Sequence, residues 1–307
     1  MIKIILILLL IILIIFLIAL LFAIWLFKDF KFDEYFHKDL FLLPDCNFRS
    51  IVKNSIFHIF EEVSGEDPIW YIAKRTSLDG IHFSDRSESL LERSDFDRCG
   101  QADPTVIIEN IWRMYFDALT EDHVWDRIGL ALSTNGESWV KYGPILRRGG
   151  NGSWDDKSIH HPVIIKHEDI YYLFYSGSSH RDKHIIRSIG LATSKDGIHF
   201  IKHLKNPLLI PGPDWDKNYV RPSRPFQIND LWYMLYWGYN GKYRSIGLAT
   251  SNDLITWTKW GKLIENATAS DVIVEWDDIG VWYTVFTSPN KNSLNYKNFN
   301  LSQILKK

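Results

Sequence analysis

Residues able to carry acid–base or anion chemistry recur at one spot in this chain. Phe96-Asp97 runs on to Asp103-Pro104, and Trp154-Asp155 to His160, His161 and Pro162. Trp215-Asp216 leads to Pro222-Ser223, flanked by Arg221 and Arg224, and Ile264-Glu265 leads to Asp271. Arg49 stands at the corresponding place nearer the amino terminus. The leading pair hardly changes from copy to copy, whereas the residue it leads to reads Asp, His, Pro and Asp. Divergence at a shared position of a repeated scaffold is where a site is built.

Carboxylates at Asp103 and Asp271 suit glycoside cleavage, in which one carboxyl protonates the leaving oxygen and another acts as nucleophile or activates water. A histidine, with a reference pKa of about 6.5, can replace one partner as proton donor near neutral pH, which makes His160 and His161 candidates. Arg49, Arg221 and Arg224 would hold sugar hydroxyls. They would equally grip a phosphate or carboxylate through paired hydrogen bonds, which suits phosphorolysis, transfer from a phosphorylated donor, or an acidic sugar. Trp154 and Trp215 would stack on a sugar face. A structural role stands beside each of these: arginines paired with Asp103 and Asp271, histidines satisfied at strand ends, and Trp-Asp pairs fastening the crossing between repeats.

The elements that must position these residues repeat too. RIGLALSTNGESW (Arg127 to Trp139) returns as RSIGLATSKDGIHF (Arg187 to Phe200) and RSIGLATSNDLITW (Arg244 to Trp257), with a worn copy YIAKRTSLDGIHF at Tyr71 to Phe83. Gly129, Gly190 and Gly247 are 61 and 57 residues apart, and the turn glycines Gly80, Gly136 and Gly197 are 56 and 61 apart. Each copy reads as strand, Asx-Gly turn and strand, a hairpin signature. Ahead of each lies another strand pair, such as VIIKHED with IYYLFYSG or FQIND with LWYMLYWG. Four-stranded units in series bury both faces by stacking around an axis, so the expected fold is an all-β, five-bladed β-propeller. Its first strands should lie near Ser50, Val106, Val163, Phe226 and Val272. The last unit is short, so its outermost strand is expected from Phe30 to Leu43.

GSWDDKSIHHPVIIKHEDIYYLFYSG followed by RSIGLATSKDGIHF, with ADPTVI one blade earlier, resembles the five-bladed propeller glycosidases of the arabinanase, invertase and mannoside-phosphorylase type. The likeness covers about residues 46 to 307. It implies a base or nucleophile carboxylate on the first blade, an Asp in a DP step on the second that steadies the transition state or tunes a pKa, and a Glu acid on the third. Asp103 matches the DP residue. The first-blade strand NFRSIVKN holds no carboxylate, only Asp45 just ahead, and His160 and His161 stand where the Glu is expected.

The composition agrees with a neutral partner: 35 basic against 37 acidic residues and no long Lys/Arg run argue against nucleic acid. No cofactor is expected, and no metal, since the histidines of HRDKH (His180 to His184) sit in a blade loop and Cys46 and Cys99 make no zinc pattern. Whether those two cysteines pair is left open. An uncharged run from Ile4 to Phe27 would span about 36 Å as a helix, enough to cross a bilayer. The expected organisation is an anchor over 1–28, a juxtamembrane segment with the ring-closing strand over 29–45, and the propeller over 46–307. Lysines flank the run on both sides and sequons stand at Asn151, Asn266 and Asn300, so the side of the membrane stays open. The expected function is a membrane-anchored, glycan-active enzyme acting on an oligo- or polysaccharide or other glycoside. The alternative is a propeller that only binds carbohydrate or a protein partner.

Overall fold

The computed structural model describes residues 40–44, 46–64, 70–120, 125–180, 186–275, 278–288 and 291–300. The expected anchor and Asp45 lie outside these residues. Among the described residues there is no helix and none long and apolar enough to cross a membrane. All regular structure is β.

After β1 (Leu40–Pro44), the strands fall into consecutive antiparallel groups. The first blade holds β2 (Phe48–Lys53), β3 (Phe57–Ser64) and β4 (Trp70–Ser77). Its outer edge is irregular: Ser84, Ser87 and Leu90 donate backbone N–H groups to the carbonyls of Thr76, Lys74 and Ile72. The second holds β5 (Gly100–Ile108), β6 (Trp112–Leu119), β7 (Trp125–Ser133) and β8 (Val140–Arg147). The third holds β9 (Ser158–His167), β10 (Ile170–Ser178), β11 (Ser188–Ser194) and β12 (Ile201–Lys202).

In the fourth blade Pro222 and Pro225 interrupt the ladder, because proline has no N–H to give. The inner strand is therefore split into β13 (Tyr219–Arg221) and β14 (Phe226–Ile228), and its partner into β15 (Leu231–Met234) and β16 (Trp237–Tyr239). β17 (Arg244–Ser251) and β18 (Thr258–Glu265) complete it. The fifth blade is β19 (Ala267–Glu275), β20 (Asp278–Ser288) and β21 (Lys291–Asn300), with β1 paired antiparallel on its outer edge. Strand addition from the other end of the chain closes the ring.

Burial follows the same plan. The five buried apolar clusters are the five seams between neighbouring blades. Phe60, Val106 and Phe116 join the first and second blades, and Cys46, Phe48, Ile59 and Trp282 join the first and fifth. Both cysteines are free thiols.

The repeated stretch earns its repetition locally. Ser194 Oγ accepts the Gly197 N–H at 3.0 Å, Asp196 Oδ1 accepts those of Ile198 and His199 at 2.9 Å, and Gly197 takes φ 72°. Its carbonyl accepts Tyr115 OH from the previous blade at 2.8 Å. Gly80 and Gly136 make the same turn, with φ 74° and 73°. One turn further back, Gly190 admits Trp154: a Cβ there would meet the indole at 2.5 Å.

The frame pairs also have defined tasks. Asp155 is buried and accepts Tyr175 OH at 3.0 Å and Lys202 Nζ at 2.5 Å, while Asp216 accepts Tyr236 OH at 3.2 Å and Lys259 Nζ at 2.6 Å. Lys141 reaches Asp97 in the same way at 2.7 Å. Each acid ties its blade's second strand or approach loop to its outermost strand.

Candidate active site

Each inner strand is broken at the same level. The register of β2 on β3 shifts between Phe48 and Ser50, leaving Arg49 unopposed, and that of β5 on β6 shifts over Asp103-Pro104. β9 shifts against β10 at His161-Pro162, β13 gives way to β14 across Pro222 to Pro225, and β19 shifts next to Ala269. A bulge re-aims the extra residue. Asp103 and His161 adopt φ 45° and 55°, uncommon for residues with a Cβ. These four bulges and the break in the fourth blade bring unlike side chains to one axial opening.

That opening holds about 370 Å³ of empty space out to open solvent and is lined by Arg49, Asp103, His161, Trp237, Arg224 and Asp271, with the prolines and small residues between them. Of the residues singled out in the sequence, Asp103, Asp271, His161, Arg49 and Arg224 meet there. Arg221 stands just beside it, stacked 4.3 Å over the Trp237 ring and against His161 Nε2. His160 is buried behind, its Nδ1 2.6 Å from that of His161. Trp154 and Trp215 do not line the opening. They pack on Tyr175 and Tyr236, at ring separations of 5.6 and 5.4 Å, within the frame, which removes their faces from the axial opening.

Two kinds of ionic contact divide the opening. On the floor, Arg224 reaches the other four blades: Nε donates to Asp271 Oδ1 at 2.7 Å, Nη1 to Ile164 O at 3.2 Å, and Nη2 to Ser50 Oγ at 2.9 Å and Val106 O at 3.0 Å. Asp271 Oδ2 meanwhile accepts Ile51 N at 3.0 Å and Ser50 Oγ at 3.3 Å. Asp271 and Arg224 are thus spent on each other and on the ring, a geometry for holding blades together.

Around Asp103 the chemistry is less settled. Its Oδ1 lies 2.5 Å from Arg49 Nε in an ion pair not aligned as a hydrogen bond, and Oδ2 lies 3.2 Å from His161 Nδ1. Two further acids stand behind it that sequence reading passed over. Glu62 on β3 accepts the Asp103 N–H and Arg49 Nε, both at 3.2 Å. Asp117 on β6 accepts the His161 N–H at 3.0 Å. Both are buried acids in strands otherwise rich in apolar residues, FHIFEEVS and WRMYFDAL, and that was the available signal.

Burial pushes Glu62 up to about 7, with Asp103 adding to the rise and Arg49 opposing it. Burial likewise raises Asp117 well above the carboxylate range, helped by Asp103. Burial would lower Arg49, but Asp103 and then Glu62 hold it firmly charged. His160 and His161 are driven well below their usual value by burial and by the nearby arginines, so both imidazoles are neutral at pH 7. A neutral imidazole there donates and accepts hydrogen bonds; it is no strong proton donor.

Arg187 and Arg221, which are not among the lining residues, differ from Arg49 and Arg224. Both face the Tyr219 ring, at 5.3 and 5.0 Å, and among the described residues neither has a carboxylate within ion-pairing distance. The Nε of each is buried without a hydrogen-bond partner. Burial, and then repulsion by Arg187, brings Arg221 down to about 9. Two neighbouring guanidinium groups without an ion-paired carboxylate among the described residues form a place for an anion.

Asp117, His160 and His161 are also close enough to share one cation, their donor atoms lying within 4.8 Å of one another. The neighbouring Arg187 and Arg221, which already act against positive charge on His160 and His161, oppose a cation there.

The chain resembles proteins that act on mannosides. A family model described as beta-1,4-mannooligosaccharide phosphorylase matches residues 180–281. A 1,2-beta-oligomannan phosphorylase of Thermoanaerobacter sp. (strain X514) is 26% identical over 130 residues, covering 40% of this chain and 43% of that protein. A beta-1,2-mannobiose phosphorylase of the same strain is 28% identical over 159 residues, covering 47% and 51%. The match thus spans about half the length of these curated relatives. Among solved structures, the beta-1,2-mannobiose phosphorylase of Listeria innocua in complex with beta-1,2-mannobiose superposes with a TM-score of 0.68 at 17% identity, covering 88% of this chain and 93% of that one. A thermostable family-43 glycoside hydrolase superposes at 0.69 and 17%, covering 83% and 89%. The fold is that of the propeller glycoside hydrolases and phosphorylases.

Proposed function

We propose that this protein is a glycan-active enzyme of the glycosidase type that cleaves a β-mannoside by phosphorolysis at the axial opening. The observation that carries the reading is the couple Arg187 and Arg221, within electrostatic reach of Asp103 yet without an ion-paired carboxylate, each with a buried Nε that has no hydrogen-bond partner. Phosphate matches the planar donors of guanidinium groups two bonds at a time. The mannoside phosphorylases among its relatives supply the sugar.

The chemistry then needs few protein groups. Phosphate bound on Arg187 and Arg221 is already a nucleophile, so no carboxylate is required to activate water or to form a glycosyl-enzyme. One acid must protonate the leaving glycosidic oxygen. Asp103 is the carboxyl that both lines the opening and lies within electrostatic reach of Arg187 and Arg221. Neutral His161, and Arg49 through Asp103, orient the acid; Trp237 offers the ring that underlies Arg221.

Full-length protein in detergent, given beta-1,2-mannobiose with and without inorganic phosphate, should release a sugar 1-phosphate and mannose only when phosphate is present. Arg221→Met should raise the KM for phosphate far more than that for the disaccharide, and Asp103→Asn should abolish turnover. Equal turnover without phosphate would make the enzyme a hydrolase and refute the phosphate place. One observation favours the alternative of a non-catalytic carbohydrate- or protein-binding propeller: Asp103 is engaged by both Arg49 and His161. Glycan binding with no turnover of any glycoside would decide for it.

The uncharged run from Ile4 to Phe27 supports a single-pass membrane anchor as part of the same reading. Extraction requiring detergent would bear this out. Protease protection in sealed vesicles would report the side.

A further inference from the structure

Three buried acids gather at the bulge of the second blade, yet only Asp103 reaches the opening. Asp117 stands directly behind it on β6 and is 1% exposed. Its Oδ2 accepts the His161 N–H at 3.0 Å, and its Oδ1 has no hydrogen-bond partner aligned with it. No cation pairs with it directly. The charged and titratable groups that face it are Asp103 from β5, Glu62 from β3, Arg49 from β2, His160 and His161 from β9, and Arg187 from the start of β11. Arg49 serves Asp103 and Glu62 first, and both imidazoles are neutral. A carboxylate in that position would be a buried charge without a partner, beside a second carboxylate.

We propose that Asp117 is a positioning residue that keeps a proton and shares it with Asp103, so that Asp103 can deliver it to the leaving oxygen at neutral pH. The inference rests on the phosphorolytic reading for its consequence, though not for the shared proton itself. Two neighbouring buried carboxyls repel each other's charge, and Asp103 raises Asp117, so one proton stays on the pair. Arg49 pairs with Asp103, whereas no cation pairs with Asp117, which leaves Asp117 as the resting place of the proton. As the glycosidic bond breaks, the proton passes from Asp117 to Asp103 and on to the leaving oxygen, while phosphate forms its bond to the anomeric carbon. Hydrogen phosphate brings one proton of its own. Once the sugar 1-phosphate has formed, that proton returns to the acid pair and the balance is restored. The same residue fixes the bulge, since Asp117 holds the backbone of His161 in its positive-φ conformation.

Infrared difference spectra of wild type against Asp117→Asn, near pH 7, test the shared proton without needing turnover. The wild type should show a protonated carboxyl band that the variant lacks. In Asp103→Asn the same band should remain but move, because its partner has changed. Should Asp117→Asn fail to fold, the Asp103→Asn shift alone carries the test. Absence of a protonated carboxyl band in wild type, or a band untouched by both substitutions, would overturn the proposal even if the protein turns over mannosides. If the band behaves as expected and no glycoside is cleaved, the shared proton stands and the phosphorolytic reading falls. Where turnover exists, Asp117→Asn should lower kcat at least tenfold with little change in KM and should move the alkaline limb of the kcat profile to lower pH. An unshifted profile with reduced stability would mean a purely structural Asp117 and would overturn the proposal.

Discussion

Arg224 is the sharpest place to separate support from chemistry. It donates four hydrogen bonds, to Asp271, Ile164, Ser50 and Val106, and so links the fourth blade to the fifth, third, first and second. Its side chain is 15% exposed and that of Asp271 3%. Replacing it with Met removes the bonds and leaves Asp271 buried without a cation. Breaking a buried pair from one side costs about 3–5 kcal/mol. Four hydrogen bonds at about 1 kcal/mol each give a similar figure by a separate route. Equilibrium urea unfolding followed by tryptophan fluorescence should therefore show Arg224→Met less stable by about 3–5 kcal/mol at an unchanged m-value. Adding Asp271→Asn removes the stranded charge while an amide oxygen can still accept from Ser50 and Ile51. The double variant should regain about 1–3 kcal/mol. A loss below about 1 kcal/mol in Arg224→Met, accompanied by a higher KM for the sugar, would refute the axial tie and make Arg224 a substrate ligand.

Two further substitutions probe the site and its frame. Folded Glu62 keeps its proton to about pH 7, whereas the unfolded chain releases it near 4.5. The unfolded state then binds fewer protons across that window, so stability falls as pH rises. Wild type should lose stability relative to Glu62→Gln by up to about 3 kcal/mol between pH 5 and 8, read from urea midpoints; parallel pH curves would contradict this. Gly190→Ala would place a Cβ 2.5 Å from the Trp154 indole, and overpacking of that kind costs about 1–3 kcal/mol. Thermal melting should register the loss, and an unchanged midpoint would mean that Trp154 is not held by the frame.

What the sequence made legible was local. The spacing of Gly129, Gly190 and Gly247 is readable because each glycine answers a nearby steric need, and the Ser-x-Asx-Gly turns because their hydrogen bonds span only a few residues. In the fourth blade Leu254 takes the glycine's place at φ 62° and the turn survives, as the repeat led one to expect. The gathering of Asp103 and His161 at one opening was also readable, since divergent residues at a repeated position must share a level of the propeller. Register shifts were not readable, because a bulge depends on the partner strand. For the same reason Glu62 and Asp117 were missed: they come from second strands, and only the bulges of β2 and β9 bring them against the first. Arg187 was hidden by repetition. It opens RSIGLATS just as Arg244 does, yet Arg244 sits 5.6 Å over Tyr239 while Arg187 sits 5.3 Å over Tyr219, within electrostatic reach of His160.

The departures from the glycosidase pattern acquire a physical sense when they are taken together. A hydrolase must hold water and make it nucleophilic, which requires a second carboxyl at a set distance from the acid. Here the first blade offers Arg49 at that level and the third offers two neutral histidines, while the nearest other acid at the opening, Asp271, is occupied by Arg224. The charge without an ion-paired carboxylate among the described residues is positive, on Arg187 and Arg221, which feel Asp103 only at longer range. With the proton proposed above on the acid pair and two guanidinium groups without an ion-paired carboxylate, such a site is short of an anionic nucleophile. In the phosphorolysis proposed above, phosphate would supply both the missing charge and the missing attack, and on that reading the absent carboxylates do not by themselves mark an inactive relic.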